Sequence, residues 1–135
     1  MAPDTIISPA VEGITERFDP ISCLDERVRH EAAEGQPSSP GRYLLLEGLE
    51  RSLVIPIGEN AMHIGRGLAA DLHLDETSVS RRHAILLPRK QTPRLLDDRS
   101  SNGTFVNGER VQQADLCSGD AIMIGRVVLR YVEVR

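Results

Sequence analysis

The sequence predicts an all-β chain, a two-sheet β-sandwich of ten to eleven short strands behind a flexible N-terminal tail. Three observations carry this. Short apolar runs recur at close spacing from residue 42 onward. The segments between them hold Gly, Asn, Asp or Pro, the residues that turn a chain. The last run, Val127 to Val134, alternates in the two-residue period of a strand packed on one face.

The elements follow in order. Tyr43–Leu46 and Leu53–Ile57, separated by Gly48 to Ser52, predict a first hairpin. Met62–Ile64, Leu72–Leu74, Ala84–Leu87 and Arg94–Leu96 are four further short strands. Phe105-Val106 and Glu109–Val111 flank Asn107-Gly108, a dipeptide suited to the positive φ of a two-residue hairpin turn. Ala121–Ile124 and Val127–Val134 flank Gly125-Arg126, a second tight turn. In the last strand Val127, Leu129 and Tyr131 oppose Val128, Arg130 and Val132, apolar on both faces at first and then one-sided. No helix is expected after residue 41.

The first 41 residues read differently. Met1–Pro20 has three prolines and no apolar periodicity, which predicts a disordered tail. Ser22 to Gly35 reads as one short helix: Ser22 and Asp25 have capping-box spacing, Leu24, Val28 and Ala32 share a face, and Gly35 ends it. Gln36-Pro-Ser-Ser-Pro-Gly41 is linker chemistry. The expected division is therefore a tail over 1–41 and a folded domain over 42–135.

Charge follows the same division. The net charge is −4. Residues 1–41 hold eight acids and three arginines, and residues 42–135 hold twelve acids and thirteen bases. An acidic tail on a near-neutral body argues against general nucleic-acid binding. Trp is absent and the aromatics are Phe18, Tyr43, Phe105 and Tyr131, so the core is expected from Leu, Ile and Val. Lys90 is the only lysine among sixteen basic residues. Cys23 and Cys117 form neither a metal pattern nor a disulfide framework. With no basic, apolar leader and no run long enough to span a bilayer, a soluble, monomeric, cytoplasmic protein without membrane contact or cofactor is expected.

Three segments at strand–loop junctions hold the chemistry: Gly65-Arg66, Ser80-Arg81-Arg82-His83 and Ser100-Ser101-Asn102-Gly103-Thr104. Arg presents a planar fork of donors to an oxyanion, and Ser adds a hydroxyl donor. Asn carries a donor and an acceptor, the pair that a peptide backbone needs. Gly103 lets the chain turn where a side chain would block it. Taken singly, each segment is a commonplace turn or a solvated charge. Their order and spacing together are not commonplace.

That order resembles the forkhead-associated (FHA) domain family, whose pattern is Gly-Arg after a strand, then Ser-x-x-His, then Asn-Gly-Thr-x-x-Asn-Gly. The matching stretches are Ile64-Gly65-Arg66, Val79-Ser80-Arg81-Arg82-His83-Ala84, and Asp98 through Asn102-Gly103-Thr104-Phe105-Val106-Asn107-Gly108. The resemblance covers about residues 42–135. It implies a β-sandwich whose loops bind a phosphothreonine peptide and which is not an enzyme. By position it implies that Arg66, Ser80, Arg81 and Ser101 hold the phosphate and Asn102 the peptide main chain. His83 becomes a structural brace, Gly65, Gly103 and Thr104 shape the loops, and Asn107-Gly108 is a structural turn. Ser78, Arg82 and Arg99 are the expected specificity loop. The implied partner is a phosphothreonine-containing protein, either a Ser/Thr kinase or its substrate.

Other chemistries fit less well. Ser80 and His83 sit three apart with no Gly-x-Ser-x-Gly elbow, which argues against a hydrolase triad. His30-Glu31 lacks the second His of a zinc protease, and His63 and His73 read as surface or strand residues, so no metal site is expected. Arg89-Lys90 reads as a solvated turn. Retention of Arg66, Ser80 and Asn102 argues against a scaffold that has lost its phosphate site. The serious alternative is a different use of the same module. Thr5 or Thr15 in the acidic tail, once phosphorylated, could occupy the chain's own loops at high effective concentration.

Overall fold

The fold is described from a computed structural model, over residues 18–135. Thr5 and Thr15 lie outside the described residues. Among the described residues, twelve strands form two sheets. They are β1 (Ala33–Glu34), β2 (Gly41–Glu47), β3 (Ser52–Pro56), β4 (Met62–Gly65), β5 (Leu72–His73) and β6 (Ala84–Leu87), followed by β7 (Arg94–Asp97), β8 (Thr104–Val106), β9 (Glu109–Val111), β10 (Gln113–Asp115), β11 (Ala121–Ile124) and β12 (Val127–Val134). The seven-stranded sheet runs β1-β3-β2-β12-β11-β8-β9, and the five-stranded sheet runs β10-β7-β6-β4-β5. All pairings are antiparallel except β4 with β5.

The aliphatic core sits between the sheets. Leu44, Leu46, Ile122, Ile124, Leu129 and Tyr131 come from one sheet, and Ile64, Leu72, Leu86 and Leu95 from the other. The period-two pattern of β12 is realised: Val127, Leu129 and Tyr131 are fully buried, while Val128 is 45% exposed. Asn107 (φ 53°) and Gly108 (φ 85°) are both left-handed, as the β8–β9 hairpin turn demands.

Every strand read from the sequence is present. Two were not read, β1 and β10, and both are short strands at sheet edges with mostly exposed side chains. An edge strand held by backbone pairing alone leaves no hydrophobic pattern to read.

Packing begins before residue 41, where the tail was expected to end. Ile21, Cys23, Leu24 and Val28 belong to the buried core. Leu24 bridges to Leu74, the Asp75 amide donates to the Cys23 carbonyl at 2.9 Å, and β1 adds to the edge of β3. The helix expected over 22–35 is also shorter. Pro20–Cys23 forms a 3-10 turn capped by Asp19, and α1 spans Glu26–Glu31. Asp25, not Ser22, caps α1, accepting the Val28 amide at 2.9 Å. Ser22 donates its hydroxyl to the Asp19 carbonyl instead. So short a helix is marginal alone; burial of Leu24 and Val28 supplies what local propensity lacks. Both cysteines are free, and among the described residues no helix is long and apolar enough to cross a membrane.

Candidate functional site

The three segments singled out in the sequence meet at one end of the sandwich. The loop leaving β4 lies against the loop entering β6: the Arg66 amide donates to the Ser80 carbonyl (2.9 Å) and the Gly67 amide to the Arg81 carbonyl (3.1 Å). Gly65 is required by this approach, since a Cβ there would run into the Arg81 carbonyl oxygen. The β7–β8 loop closes over the same place. The Ser101 amide donates to the Ser80 hydroxyl oxygen (2.9 Å), and the Asn102 side-chain amide donates to the Ser78 carbonyl (3.0 Å).

His83 ties the second of these segments to the third. It is fully buried, its Nδ1 accepts the Ser80 amide at 3.0 Å, and its Nε2 donates to the Gly103 carbonyl at 2.9 Å. These partners fix the neutral Nε2–H tautomer. His83 therefore braces loops and offers no nitrogen to a ligand.

Asp97 organises the β7–β8 loop from below. Its carboxylate accepts the Ser100 hydroxyl (2.5 Å), the Ser100 amide (3.2 Å) and the hydroxyl of buried Thr104 (2.7 Å). Burial pushes the Asp97 carboxyl up, but these bonds outweigh it and hold the group below the usual carboxylate range. Gly103 takes φ 93°, a conformation that disfavours any side chain.

On this frame the residues expected to hold the anion lie at the surface, with Arg66, Arg81 and Ser101 exposed and Ser80 half-buried. The Arg66 Nε donates to the Val79 carbonyl at 3.0 Å, which orients the guanidinium; among the described residues its terminal nitrogens make no hydrogen bond. The Ser80 hydroxyl accepts from Ser101 and, among the described residues, keeps its own proton for an outside acceptor. Arg81, Ser101, Asn102 and Arg99 are exposed, and Arg99 adopts a left-handed φ of 60°. Ser80, Arg81, Arg82, Arg99 and Ser101 line one groove of about 850 Å³, with Leu68, Ala69 and Ala70 on its apolar side. Leu68 is 95% exposed there.

Two expected specificity residues are engaged. Arg82 pairs with Asp98 at 3.1 Å and still lines the groove. Ser78 does not line it: its hydroxyl turns to Glu76 and accepts the Arg126 amide. Asn107 binds away from the loops, its side chain bridging Asp120 and the Ala121 amide. Sequence reading missed Glu76, Asp97 and Arg126. Glu76 and Asp97 support their loops through residues two to seven positions on, and Arg126 through Ser78, 48 positions away.

Comparison with known proteins agrees with this geometry. The FHA domain family matches residues 62–125. The glycogen accumulation regulator GarA of Mycolicibacterium smegmatis is 32% identical over 99 residues, 73% of this chain and 63% of its own length. An oxoglutarate dehydrogenase inhibitor of Corynebacterium diphtheriae is 31% identical over 97 residues, 72% of this chain and 68% of its own. The chain spans only 8% of another relative, the ABC transporter ATP-binding/permease protein Rv1747 of Mycobacterium tuberculosis, at 42% identity. A solved structure from work on phosphothreonine-dependent FHA domain interactions superposes with a TM-score of 0.62 at 35% identity, covering 70% of this chain and 97% of that one. With the loop geometry, the motif order and this coverage in agreement, the chain belongs to the FHA domain family.

Proposed function

We propose that this chain is an adaptor that docks phosphothreonine-bearing partners of Ser/Thr kinase signalling, through the loops around Ser80. The observation that carries the reading is the cross-braced loop cluster. A buried histidine and the inter-loop bonds of Arg66, Ser101 and Asn102 hold Arg66, Ser80 and Ser101 together. A phosphothreonine brings roughly −1.5 to −2 charge and three acceptor oxygens. Arg66, Arg81 and the Ser80 hydroxyl supply donors of matching type, and Asn102 is the donor for the peptide main chain. Charge-assisted hydrogen bonds contribute about 1.5–3 kcal/mol each, so three give about 5–9 kcal/mol, which brackets micromolar binding. That strength suits a signalling contact that must release.

Titration with a phosphothreonine peptide library, beside unmodified Thr and phosphoserine controls, tests this. The wild type should select phosphothreonine peptides. Arg66→Ala should lose binding while keeping its melting temperature. Full binding by Arg66→Ala would remove the site assignment.

A second reading takes its motive from two relatives, named a glycogen accumulation regulator and an oxoglutarate dehydrogenase inhibitor. In it, Thr5 or Thr15 becomes phosphorylated and occupies the chain's own loops. Mass spectrometry after kinase treatment, followed by titration with the same peptides, tests it: modification must weaken binding of an added peptide.

A further inference from the structure

Glu76 lies outside the residues assigned to peptide contact, yet it sits under them. It is 9% exposed, a buried carboxylate in the loop before β6. Its Oε2 accepts the Ser78 amide at 3.0 Å and also the Ser78 hydroxyl. Its Oε1 lies 3.3 Å from an Arg126 guanidinium nitrogen. The Ser78 hydroxyl oxygen in turn accepts the Arg126 backbone amide at 3.0 Å, and the Val79 amide donates to the Glu76 carbonyl at 2.9 Å. Glu76 thus ties the 76–79 turn to the β11–β12 hairpin of the opposite sheet. Hydrogen bonding from the Ser78 hydroxyl, helped by the Ser78 amide and Arg126, holds its carboxyl below the usual range, so it is ionised near neutral pH.

What this turn presents is the notable part. The Ser78 carbonyl holds the Asn102 side chain, and the next carbonyl, of Val79, holds the Arg66 Nε. Ser80 follows directly and holds the Ser101 amide. Two ligand-facing groups on two other loops, Asn102 and Arg66, take their orientation from one four-residue turn, and Ser80 leaves directly from its end. The Arg126 side chain that closes the arrangement stacks over the Phe18 ring at 3.9 Å.

We infer that Glu76 is a positioning residue of the peptide site, fixing the 76–79 turn so that Arg66 and Asn102 are held ready for ligand. The inference rests on the phosphopeptide reading above. A buried carboxylate is costly, and geometric specification is its best-attested use. A shorter acid could cap Ser78 locally; the length of Glu also reaches Arg126 on another hairpin.

The test uses the full, isotopically labelled chain and the phosphothreonine peptide selected from the library. Glu76→Gln keeps the side-chain length but cannot accept at both oxygens. It should bind about tenfold more weakly, ~1.4 kcal/mol. Its side-chain NMR signals from the Asn102 amide and the Arg66 Nε–H should move in the unliganded protein, a signature that general loss of stability would not give. If Glu76→Gln does not fold, Ser78→Ala keeps the carboxylate and removes the hydroxyl between Glu76 and the Arg126 amide. It should move the same two signals and weaken binding in the same direction. Wild-type affinity and unmoved signals in a folded Glu76→Gln, with Arg66→Ala still failing to bind, would overturn the positioning role alone. No binding by the wild type would overturn the phosphopeptide reading and this inference with it.

Discussion

Replacing His83 by Ala tests the central brace of the site without touching a ligand-facing group. The imidazole is fully buried and satisfies two main-chain groups, the Ser80 amide at 3.0 Å and the Gly103 carbonyl at 2.9 Å. Alanine leaves both without that partner in a region where unpaired groups cost about 1–3 kcal/mol each. The vacated volume adds lost packing. A water entering the space recovers part of this, and a net loss of about 3 kcal/mol is expected. Against a total stability of about 5–15 kcal/mol, that is a large fraction. It corresponds to a melting temperature lower by roughly 10–15 °C for a domain of this size. Urea unfolding at pH 7 measures the loss directly. Arg82→Ala, at the adjacent position, is the internal control. Its side chain is 73% exposed in its pair with Asp98, so its loss should not exceed about 1 kcal/mol. Equal effects from the two variants, or less than about 1 kcal/mol for His83→Ala, would refute the bracing argument.

Two further outcomes are expected besides those for Arg66 and Glu76. Leu24→Ala should cost about 2–5 kcal/mol by thermal or urea unfolding, because Leu24 is 2% exposed in the shared core; an unchanged melt would return the N-terminal segment to the status of an appendage. The Asp97 carboxyl is depressed in the fold, so its contribution is fully present above the unfolded value of about 3.9 and is lost as pH falls through its folded value. Urea midpoints of the wild type should hold between pH 7 and about 5 and drop below about 4. Asp97→Asn should start lower at pH 7 and fall less steeply in acid, and parallel acid limbs would count against the assignment.

The strands and the ligand-facing loops were legible in the sequence for a physical reason. β2, β6 and β11 bury apolar side chains at consecutive or alternate positions, so the pattern can be read within a few residues. Gly65 and Gly103 mark themselves by residue type, one at a close backbone approach to Arg81 and one at a left-handed φ, both of which favour glycine. What stayed illegible depends on distant partners. Leu24 and Val28 looked like one face of an isolated helix because nothing in residues 20–35 reveals that Leu74 is waiting to cover them. Ser78 looked like a pocket residue because its sequence position adjoins the site. Its hydroxyl is claimed by Glu76 and by Arg126, 48 residues away. The domain's near-neutral charge likewise hid a local concentration of arginines, since Arg82 is offset by Asp98 while Arg66 and Arg81 have no acidic partner among the described residues.

That asymmetry bears on how such a site discriminates. The groove is lined by Arg81, Arg82 and Arg99, but the Asp98 carboxylate on the same wall draws Arg82 away from incoming anions. A general basic patch would attract any acidic surface, and its affinity would fall steeply with salt. Here the exposed cations are few, and the donors are fixed by hydrogen bonds to main-chain groups. Arg66 is held by Val79, Asn102 by Ser78, and the Ser80 hydroxyl by the Ser101 amide. Groups that are already oriented lose little freedom when a ligand arrives, so binding energy goes to a phosphate of the right shape and not to ordering the loops. A carboxylate, with a single charge and two oxygens, meets the same fixed donors and satisfies fewer of them. On the proposed assignment, discrimination between a phosphorylated and an acidic peptide follows from rigidity. The residues that create the rigidity, His83, Asp97 and Glu76, need never touch the peptide.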